Sequence, residues 1–414
     1  MKGLRVVVTG VGAVTPLGIG AETFWQGLTA GRSGIDRIQA WDASSLEVQI
    51  AGEVKGFDPK DFMDFKIARR MDRFAQFAVA ATREALDQSG LQITDANRTD
   101  IGVVVNTGGG GIPSIEHEVG VMYEKGAKRV SPFLIPLFAP NMASCQVSIA
   151  FGIRGPLSTS AAACASGIQA FIDAVHMIRR GEVDAIVTGG TEAGITPVAV
   201  ASLGHMGALS RRNDDPTGAS RPFDLGRSGF VFSEGAATFI LESEEHAINR
   251  GAKILCEVSG GAYTSDAYHI TAPDPTGSGA ALAIKRALKW SDLDPTAVDY
   301  VAAHATATTI GDIAETDAIK SALGDHAYKI AMSANKSMVG HLLGAAGSVS
   351  GLACIMAIRD GIVPPTINLT DPDPKCDLDY VPNVARELTV NVALANGFGF
   401  GGQNACAVFK RYQG

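Results

Sequence analysis

Hydrophobic residues at helical spacing follow a short apolar segment in the middle of the chain. Residues 156–163 are mostly small and apolar, which predicts a short strand. Apolar side chains then recur on one helix face, at Ile168, Phe171, Ile172, Val175 and Ile178. Cys164 lies between the two elements, so the pattern predicts a strand, a turn and a helix with a cysteine at the helix N-terminus.

Strand-like and helix-like segments alternate along most of the chain, which is typical of a layered α/β protein. Two segments of the first part are echoed later and in the same order. Residues 85–105 resemble residues 287–303, and residues 167–183 resemble residues 347–363. The two matches predict a duplicated core, and we place its dividing line near Arg250.

Length and composition agree with a large buried core. The 414 residues are 46% hydrophobic and 19% charged, and a chain of this length favours two core units. No apolar run of about 18 residues free of charges occurs and the chain begins with a strand-like segment, so we expect no membrane span and no signal peptide. The net charge of −8 argues against nonspecific nucleic-acid binding.

Cysteine usage favours a reducing compartment, and we expect a cytoplasmic protein. The 6 cysteines lie far apart without a CxxC pair, so neither a zinc site nor a disulfide framework is indicated. Cys164 differs from the others because unpaired amides and the helix dipole at a helix N-terminus favour the thiolate. Most free cysteines are small buried hydrophobes, but the strand–turn–helix pattern favours a nucleophile here.

Two histidines are candidate partners of this cysteine. His304 directly follows a strand-like segment and opens a turn rich in threonine, and His341 precedes an apolar helix rich in small residues. A thiolate can accept an acyl group, and imidazole N–H groups can stabilise an enolate or an oxyanion. Cys164 falls in residues 1–250 and both histidines fall in residues 251–414, which predicts a site between two similar halves.

Two other arrangements of these groups are weaker. A Cys-His-Asp protease would use a single histidine to deprotonate the thiol, but no local signature of such proteases surrounds Cys164. His304, Asp312 and Glu315 could together bind a metal ion, although a lone mixture of this kind is weak evidence.

The glycine-rich stretches differ in what they indicate. Gly10 and Gly12 follow the first strand, but Thr15 replaces the third glycine of the dinucleotide-binding motif, so we reject that motif. Residues 106–111 predict a tight strand exit beside a roomy cavity. Residues 396–404 place four glycines around two phenylalanines, which predicts a backbone that approaches a ligand and a phenyl ring free to move.

Taken together, these elements resemble the β-ketoacyl-[acyl-carrier-protein] synthases, condensing enzymes of fatty-acid synthesis in the thiolase superfamily, and most closely the type II synthases of bacteria. The resemblance covers essentially the whole chain, from residue 6 to residue 402. It rests above all on the order of one cysteine, one histidine, one lysine and a second histidine, at Cys164, His304, Lys336 and His341. Supporting matches lie at residues 221–224, 265–269, 364–368 and 397–402.

The resemblance implies the α/β thiolase fold, with duplicated five-stranded mixed sheets in an αβαβα layered arrangement, usually in a homodimer. It implies that acyl carrier protein delivers an acyl group to Cys164. Malonyl-carrier protein then loses carbon dioxide, and its carbanion attacks the thioester to give 3-oxoacyl-carrier protein. Neither a cofactor nor a metal ion is implied.

The resemblance also assigns roles to residues around the thiol. His304 and His341 would stabilise the thioester enolate, and Lys336, paired with Glu315, would set the electrostatics around them. The backbone N–H groups of Cys164 and of Phe400 would form the oxyanion hole.

Further roles concern the substrate. The pantetheine arm would contact Thr306, Thr308 and Thr271, and the ring of Phe400 would act as a gate. Gly109 aligns with a position where some type II synthases carry an isoleucine in the acyl pocket, so a more open pocket is expected.

Two departures from the family pattern affect loops rather than catalytic groups. Ala305 stands where the family usually has glycine and adds a methyl group near the site. Gln403 stands where threonine or histidine is more common.

A basic surface is expected because acyl carrier protein is acidic. The basic docking cluster, as we name it, consists of Lys66, Arg69, Arg70, Lys128, Arg129, Arg211 and Arg212. Such groups are often only solvated helix faces, and the resemblance places the first three on the docking helix of the family.

Of three alternatives to fatty-acid elongation, two are weak and the third stays open. A thiolase would need a second catalytic cysteine, and Cys376 and Cys406 lack the expected glycine-rich context. A non-catalytic partner subunit of a polyketide synthase would lack the nucleophile. A ketosynthase of a polyketide or other secondary-metabolite pathway would share the same residues.

Overall fold

Two five-stranded sheets lie edge to edge in the computed structural model, which describes residues 4–414. Three short two-stranded pairings accompany them. The strands are β1 (Val6–Thr15), β2 (Gly18–Ile19), β3 (Asp36–Arg37), β4 (Ile50–Ala51), β5 (Ile101–Asn106), β6 (Leu157–Ser158), β7 (Ala185–Glu192), β8 (Gly235–Ser243), β9 (Cys256–Ser265), β10 (Tyr300–Ala302), β11 (Ala331–Ser333), β12 (Ile362–Val363), β13 (Arg386–Glu387), β14 (Val392–Gly399) and β15 (Gln403–Lys410).

The two sheets have the same strand order and the same strand directions. The first runs β6-β5-β7-β8-β1 and the second β11-β10-β14-β15-β9. In each sheet the first three strands are parallel and the last two pairings are antiparallel. The sheets meet where β1 pairs antiparallel with β9. This repetition confirms the predicted duplicated mixed sheets, while the domain boundary at residue 250, between β8 and β9, stays a prediction.

Helices cover the sheets and lie between the two halves. They are α1 (Ala21–Thr29), α2 (Phe65–Ala68), α3 (Arg73–Ser89), α4 (Ile112–Lys125), α5 (Leu134–Phe138), α6 (Met142–Phe151), α7 (Ser166–Arg179), α8 (Pro197–His205), α9 (Glu244–Asn249), α10 (Ser278–Trp290), α11 (Gly311–Leu323), α12 (Lys336–Val339) and α13 (Ala346–Asp360). The echoed segments of the sequence lie on corresponding elements, at the ends of α3 and α10 and along α7 and α13.

The central helices α7 and α13 touch through glycine. A Cβ atom placed on Gly167 would lie 2.4 Å from the backbone nitrogen of Ser348, and one on Gly347 would lie 2.6 Å from that of Ile168. Only residues without a side chain permit so close an approach of two backbones. The N-termini of one helix from each half are therefore brought together at the centre of the molecule.

The five apolar residues that predicted α7 are all buried, as a helix packed between two sheets requires. The strand predicted at residues 156–163 is wrong beyond residue 158, because only Leu157 and Ser158 pair with β5. Thr159 and Ser160 are instead joined to the end of β5 by hydrogen bonds that involve side chains. The Thr159 hydroxyl donates to the carbonyl of Val105 at 3.0 Å. The Ser160 N–H donates to the side chain of Asn106 at 2.7 Å.

Among residues 4–414, one helical stretch is long and apolar enough to cross a membrane. It runs from residue 343 to residue 360 and includes α13, and 83% of it is buried inside the protein. The stretch is buried to this degree because α13 contacts strands of both sheets.

Candidate active site

Cys164 lies in a strained turn at the start of α7. The turn is a short 3-10 helix, Ala163–Ala165, and its first residue has a φ of 47°. A left-handed conformation costs a non-glycine residue about 1–3 kcal/mol, so neighbouring contacts must hold it. The hydroxyl of Ser166 accepts the N–H of Ala162 at 2.9 Å and donates to the carbonyl of Ala163 at 2.7 Å. The turn thereby holds the thiol beside the helix N-terminus.

The protonation state of Cys164 differs from the prediction. Burial raises the pKa of the thiol to about 11, and the carboxylate of Glu192 acts in the same direction. The charge of Lys336 and the backbone N–H of Phe400 lower this pKa but do not compensate. The expectation of a resting thiolate is therefore wrong for the free protein, because lost hydration outweighs the favourable charges.

His304 and His341 lie beside each other at the same site. Their ring centroids are 5.4 Å apart and the ring planes are nearly perpendicular, at 86°. Phe230 packs edge-on against His341, and Phe398 packs against His304. Burial and the charge of Lys336 hold the pKa of both histidines well below the usual value. Both rings are therefore neutral at pH 7, each with one N–H donor and one nitrogen acceptor.

Glu315 anchors the loop that carries His304. Its carboxylate accepts the N–H groups of His304 at 2.8 Å and Ala305 at 2.7 Å, and the side-chain amide of Asn396 at 3.0 Å. The Nζ atom of Lys336 has no hydrogen-bond partner among the residues described. Lys336 and Glu315 therefore form no direct hydrogen bond, because backbone and amide donors occupy the carboxylate, and the two groups interact through their charges.

Lys336 nevertheless supplies the positive charge of the site. Burial lowers its pKa to about 8, against the opposing influence of Glu315 and Cys164. The ammonium group is thus largely protonated at pH 7. Without a hydrogen-bonded counterion, its field acts on the thiol and on both imidazoles, in agreement with the electrostatic role predicted for it.

A cavity of about 360 Å³ connects these groups to solvent. Its lining includes Cys164 and both histidines, together with Glu315. The predicted pantetheine contacts Thr271, Thr306 and Thr308 line it, as does the predicted gate Phe400.

Phe400, the predicted gate, precedes a turn of two glycines. It is half-buried, and the two residues that follow, Gly401 and Gly402, have φ values of 81° and 73°. The Gly401 N–H donates to the carbonyl of Ile270 at 2.8 Å, which links this turn to the segment that carries Thr271. Glycine adopts such conformations without strain, so the turn beside the ring carries no backbone strain.

Gly109 is absent from the lining of this cavity, and the more open acyl pocket stays a prediction. A Cβ atom on Gly109 would lie 2.7 Å from the Cδ1 atom of Ile112, so an isoleucine from the next helix fills that space. Ala305 is 1% exposed and packs in the core of the second half. Its methyl group therefore lies away from the cavity.

The metal-site alternative finds no support in the geometry. Asp312 accepts the N–H of Phe223 at 2.8 Å, while Glu315 accepts the amides described above. Within residues 4–414, no three histidine, cysteine or acidic side chains are grouped so that they could hold a metal ion.

Sequence reasoning missed two buried charged residues, Arg227 and Glu192. Arg227 is 6% exposed and donates to the carbonyls of Thr308 at 3.1 Å and Thr309 at 2.8 Å, so it shapes the threonine loop. Its ion pair with Asp373, at 2.8 Å, fixes the guanidinium. The sequence contains a signal for each of them. Arg227 is a charge flanked by small residues before an apolar run, and Glu192 is an acid at the end of an apolar strand.

The basic docking cluster divides into two groups. Lys66, Arg69, Arg70, Lys128 and Arg129 are exposed and surround α2 and the turn after α4. Arg70 lies over the ring of Phe133, with 5.3 Å to its centroid, which brings α2 close to the segment before α5. Arg211 instead pairs with Glu47 at 2.7 Å, and Arg212 donates to the carbonyl of Gly226 at 3.4 Å. Their charges are partly engaged elsewhere.

Comparison with protein families and relatives gives one consistent result. Residues 4–247 match the family model of the β-ketoacyl synthase N-terminal domain, and residues 255–370 match that of the C-terminal domain. The chain is 51% identical over 409 residues to the 3-oxoacyl-[acyl-carrier-protein] synthase 2 of Synechocystis sp., covering 99% of this chain and 98% of the relative. It is 45% identical over 411 residues to the protein of the same name from Coxiella burnetii, covering 99% of both chains.

A solved structure resembles the chain over its full length. It contains a type II polyketide synthase acyl-carrier protein in complex with its ketosynthase. The similarity has a TM-score of 0.92 at 32% sequence identity, and it covers 99% of this chain and 100% of the other.

Proposed function

The chain belongs to the β-ketoacyl synthase family, and we propose that Cys164, His304 and His341 perform the condensing reaction of this family. The chain is an acyl-transferring condensing enzyme of fatty-acid elongation, of the 3-oxoacyl-[acyl-carrier-protein] synthase 2 kind. One observation carries the assignment of residues: a thiol and two neutral imidazoles share a single cavity.

The first step is a thioester exchange. The Cys164 sulfur attacks the carbonyl carbon of the acyl thioester, and the pantetheine thiol leaves. The backbone N–H groups of Cys164 and Phe400 donate to the carbonyl oxygen as it becomes negative. The thiol must lose its proton in this step, and a neutral imidazole can accept it while Lys336 stabilises the thiolate.

The second step forms the carbon–carbon bond. Malonyl thioester loses carbon dioxide, and the electron pair of the broken bond becomes an enolate. The N–H groups of His304 and His341 donate to the enolate oxygen, which only neutral or protonated rings can do. The enolate carbon attacks the acyl-Cys164 carbonyl, the thiolate leaves, and a 3-oxoacyl thioester remains.

The carrier arm is proposed to reach the thiol along the threonine loop. The hydroxyl oxygens of Thr306 and Thr308 lie 3.1 Å apart, and both hydroxyls can form hydrogen bonds with a pantetheine amide. Phe400 stands at the same cavity as a gate. Arg227 supports this path by fixing the carbonyls of Thr308 and Thr309 from behind.

The acidic carrier protein is proposed to dock on the exposed part of the basic docking cluster. Arg69 and Arg70 are exposed, form no ion pair within residues 4–414, and stand beside the exposed apolar residues Phe65 and Phe133. The solved complex of a related ketosynthase with its carrier protein supports the class of partner. Steering by such charges acts mainly on association rate.

Charge reversal of this cluster tests the docking surface. The double variant Arg69→Glu/Arg70→Glu should bind carrier protein with an association rate lower by about tenfold or more at low salt, and the difference should shrink as salt rises. The matched control reverses Lys289 and Lys329, two exposed lysines of the second half, and changes the net charge equally. Equal association rates for both double variants would contradict docking at this surface.

A cytoplasmic homodimer is the assembly and location that we propose. β6 is the outer strand of the first sheet, and its two residues are exposed. Ile135, Ile149 and Leu157 are also exposed, at 65%, 68% and 39%. An open strand edge beside apolar side chains favours pairing with a second copy. The six cysteines are free thiols, which agrees with a reducing compartment.

The proposed reaction is tested with malonyl-carrier protein and acyl-carrier proteins of graded chain length, with products identified by mass. We expect 3-oxoacyl-carrier proteins two carbons longer than the acyl donor, with release of carbon dioxide. Absence of any condensation product with every donor would overturn the assignment. Products that grow by repeated condensation without reduction would favour the alternative, a ketosynthase of a polyketide pathway.

A further inference from the structure

The turn that follows His341 repeats the turn that carries the nucleophile. The 3-10 helix Leu343–Ala345 leads into α13, as Ala163–Ala165 leads into α7. Its first residue has a φ of 43°, close to the 47° of the first half. Gly344 therefore occupies the position that Cys164 occupies in the other half.

The two turns are held in different ways. In the first half, the Ser166 hydroxyl bonds on both sides of the strained residue. The corresponding residue of the second half is Ala346, which has no hydroxyl. There the N–H of Gly344 donates to the carboxylate of Glu192, at 2.9 Å, across the interface between the halves.

Glu192 is the last residue of β7 and is fully buried. Its Oε2 atom accepts the N–H groups of Gly108, at 2.8 Å, and Gly344. Its Oε1 atom accepts the N–H of Gly109, at 3.2 Å, and the hydroxyl of Thr107, at 3.3 Å. One carboxylate thus joins the segment after β5 to the turn after His341. A Cβ atom on Gly344 would lie only 2.1 Å from the nitrogen of Gly108, so the two backbones are in contact.

We propose that Glu192 is a positioning residue, which holds the turn after His341 so that the imidazole meets the malonyl thioester. The inference rests on the role of His341 in the proposed function. The other side of His341 is held by backbone bonds, since its N–H donates to Val231 at 2.7 Å and its carbonyl accepts from Ser233 at 3.0 Å. Glu192 supplies the remaining support, three residues further on, where a left-handed Leu343 needs it.

Glu192 has a second, electrostatic effect. The charges of Glu192 and Lys336 act on the thiol, and His304, His341 and Glu315 line the same cavity. Burial raises the pKa of Glu192 to about 7, so the carboxyl is partly ionised at neutral pH. Its negative charge raises the pKa of Cys164, and a neutral substitute should lower it. A purely structural residue would not shift the titration of the thiol in this defined direction.

Two variants and one control test the proposal. Glu192→Ala removes all four hydrogen bonds. Glu192→Gln is nearly the same size, and its one oxygen can still accept from Gly108 and Gly344. The control Glu242→Gln removes a buried carboxylate that contacts Arg250 and His246, away from the cavity. For each protein, acyl loading of Cys164 is followed by mass, and malonyl decarboxylation by carbon dioxide release.

Glu192→Ala should lower decarboxylation about 10²-fold, the effect of displacing a reacting group by roughly 1 Å, and lower loading much less. Glu192→Gln should lower the ratio of decarboxylation to loading by a smaller factor. Its Cys164 should react with iodoacetamide at a lower pH than the Cys164 of the wild type. Where the alanine variant does not fold, the glutamine variant decides. If the ratio of decarboxylation to loading is unchanged in both Glu192 variants, or falls equally in the Glu242→Gln control, the proposal is wrong. If the wild type neither loads nor decarboxylates, the proposed function fails first.

Discussion

Replacing Cys164 by alanine should abolish formation of the acyl-enzyme. The thiol is the only cysteine that shares the cavity with both imidazoles, among the residues that line it. Without sulfur no thioester can form, so incubation with acyl-carrier protein should leave the protein mass unchanged. Because both imidazoles remain, we expect carbon dioxide release from malonyl-carrier protein to persist while condensation is lost.

The half-buried Cys145 on α6 provides the matched control. Cys145→Ala should still gain one acyl group per chain and should still condense. An acyl adduct on the Cys164→Ala variant, stable after removal of carrier protein, would show that another residue is the nucleophile.

Replacing His304 by alanine should separate the two half-reactions. Acyl loading should continue, because the thiol, Lys336 and the backbone N–H of Phe400 are untouched and the imidazole of His341 remains to accept the thiol proton. Decarboxylation should fall about 10²- to 10³-fold, the usual cost of removing one donor to a developing oxyanion. Loading is measured by mass and decarboxylation by carbon dioxide release, both under single-turnover conditions.

His205 serves as the control for this variant. It is exposed at the end of α8 and absent from the cavity lining. His205→Ala should retain both half-reactions within a few-fold of the wild type. Normal carbon dioxide release by His304→Ala, with a folded protein, would remove His304 from the enolate site.

Both histidine rings are neutral because burial holds their pKa well below the usual value. Neutral rings donate one N–H each without repelling the charge of Lys336. The same burial that neutralises the rings keeps the Cys164 thiol protonated at rest. The thiol and both imidazoles are therefore uncharged at rest beside the ammonium group of Lys336, and the thiol has to lose its proton during acyl transfer.

Part of the fold follows from local pattern. Helical periodicity predicted α7 correctly because its apolar face is defined by residues a few positions apart. The echo of residues 85–105 and 167–183 predicted the duplication, which the matching strand orders confirm. The strand at residues 156–163 was predicted too long, since side-chain and backbone bonds to the end of β5 replace the ladder after residue 158.

Part of the site also follows from local pattern, and part does not. The order of cysteine, histidine, lysine and histidine pointed to Cys164, His304 and His341, which line one cavity, and to Lys336, whose charge acts on all three. Lys336 and Glu315 interact through their charges rather than through a hydrogen bond, because backbone amides of the His304 loop occupy Glu315. The role of Gly109 in the acyl pocket stays a prediction, and the side chain of Ile112 fills the space beside this glycine.

The amino-acid order alone thus carries the class of chemistry, the repeat and the central helices, since residue type and short-range spacing specify them. The protonation of the thiol, the partner of each buried charge and the role of Glu192 depend on residues far apart in the chain, such as Glu192 and Gly344, which are 152 positions apart. Desolvation and hydrogen-bond competition act through space, so these features exist only once the two halves pack against each other.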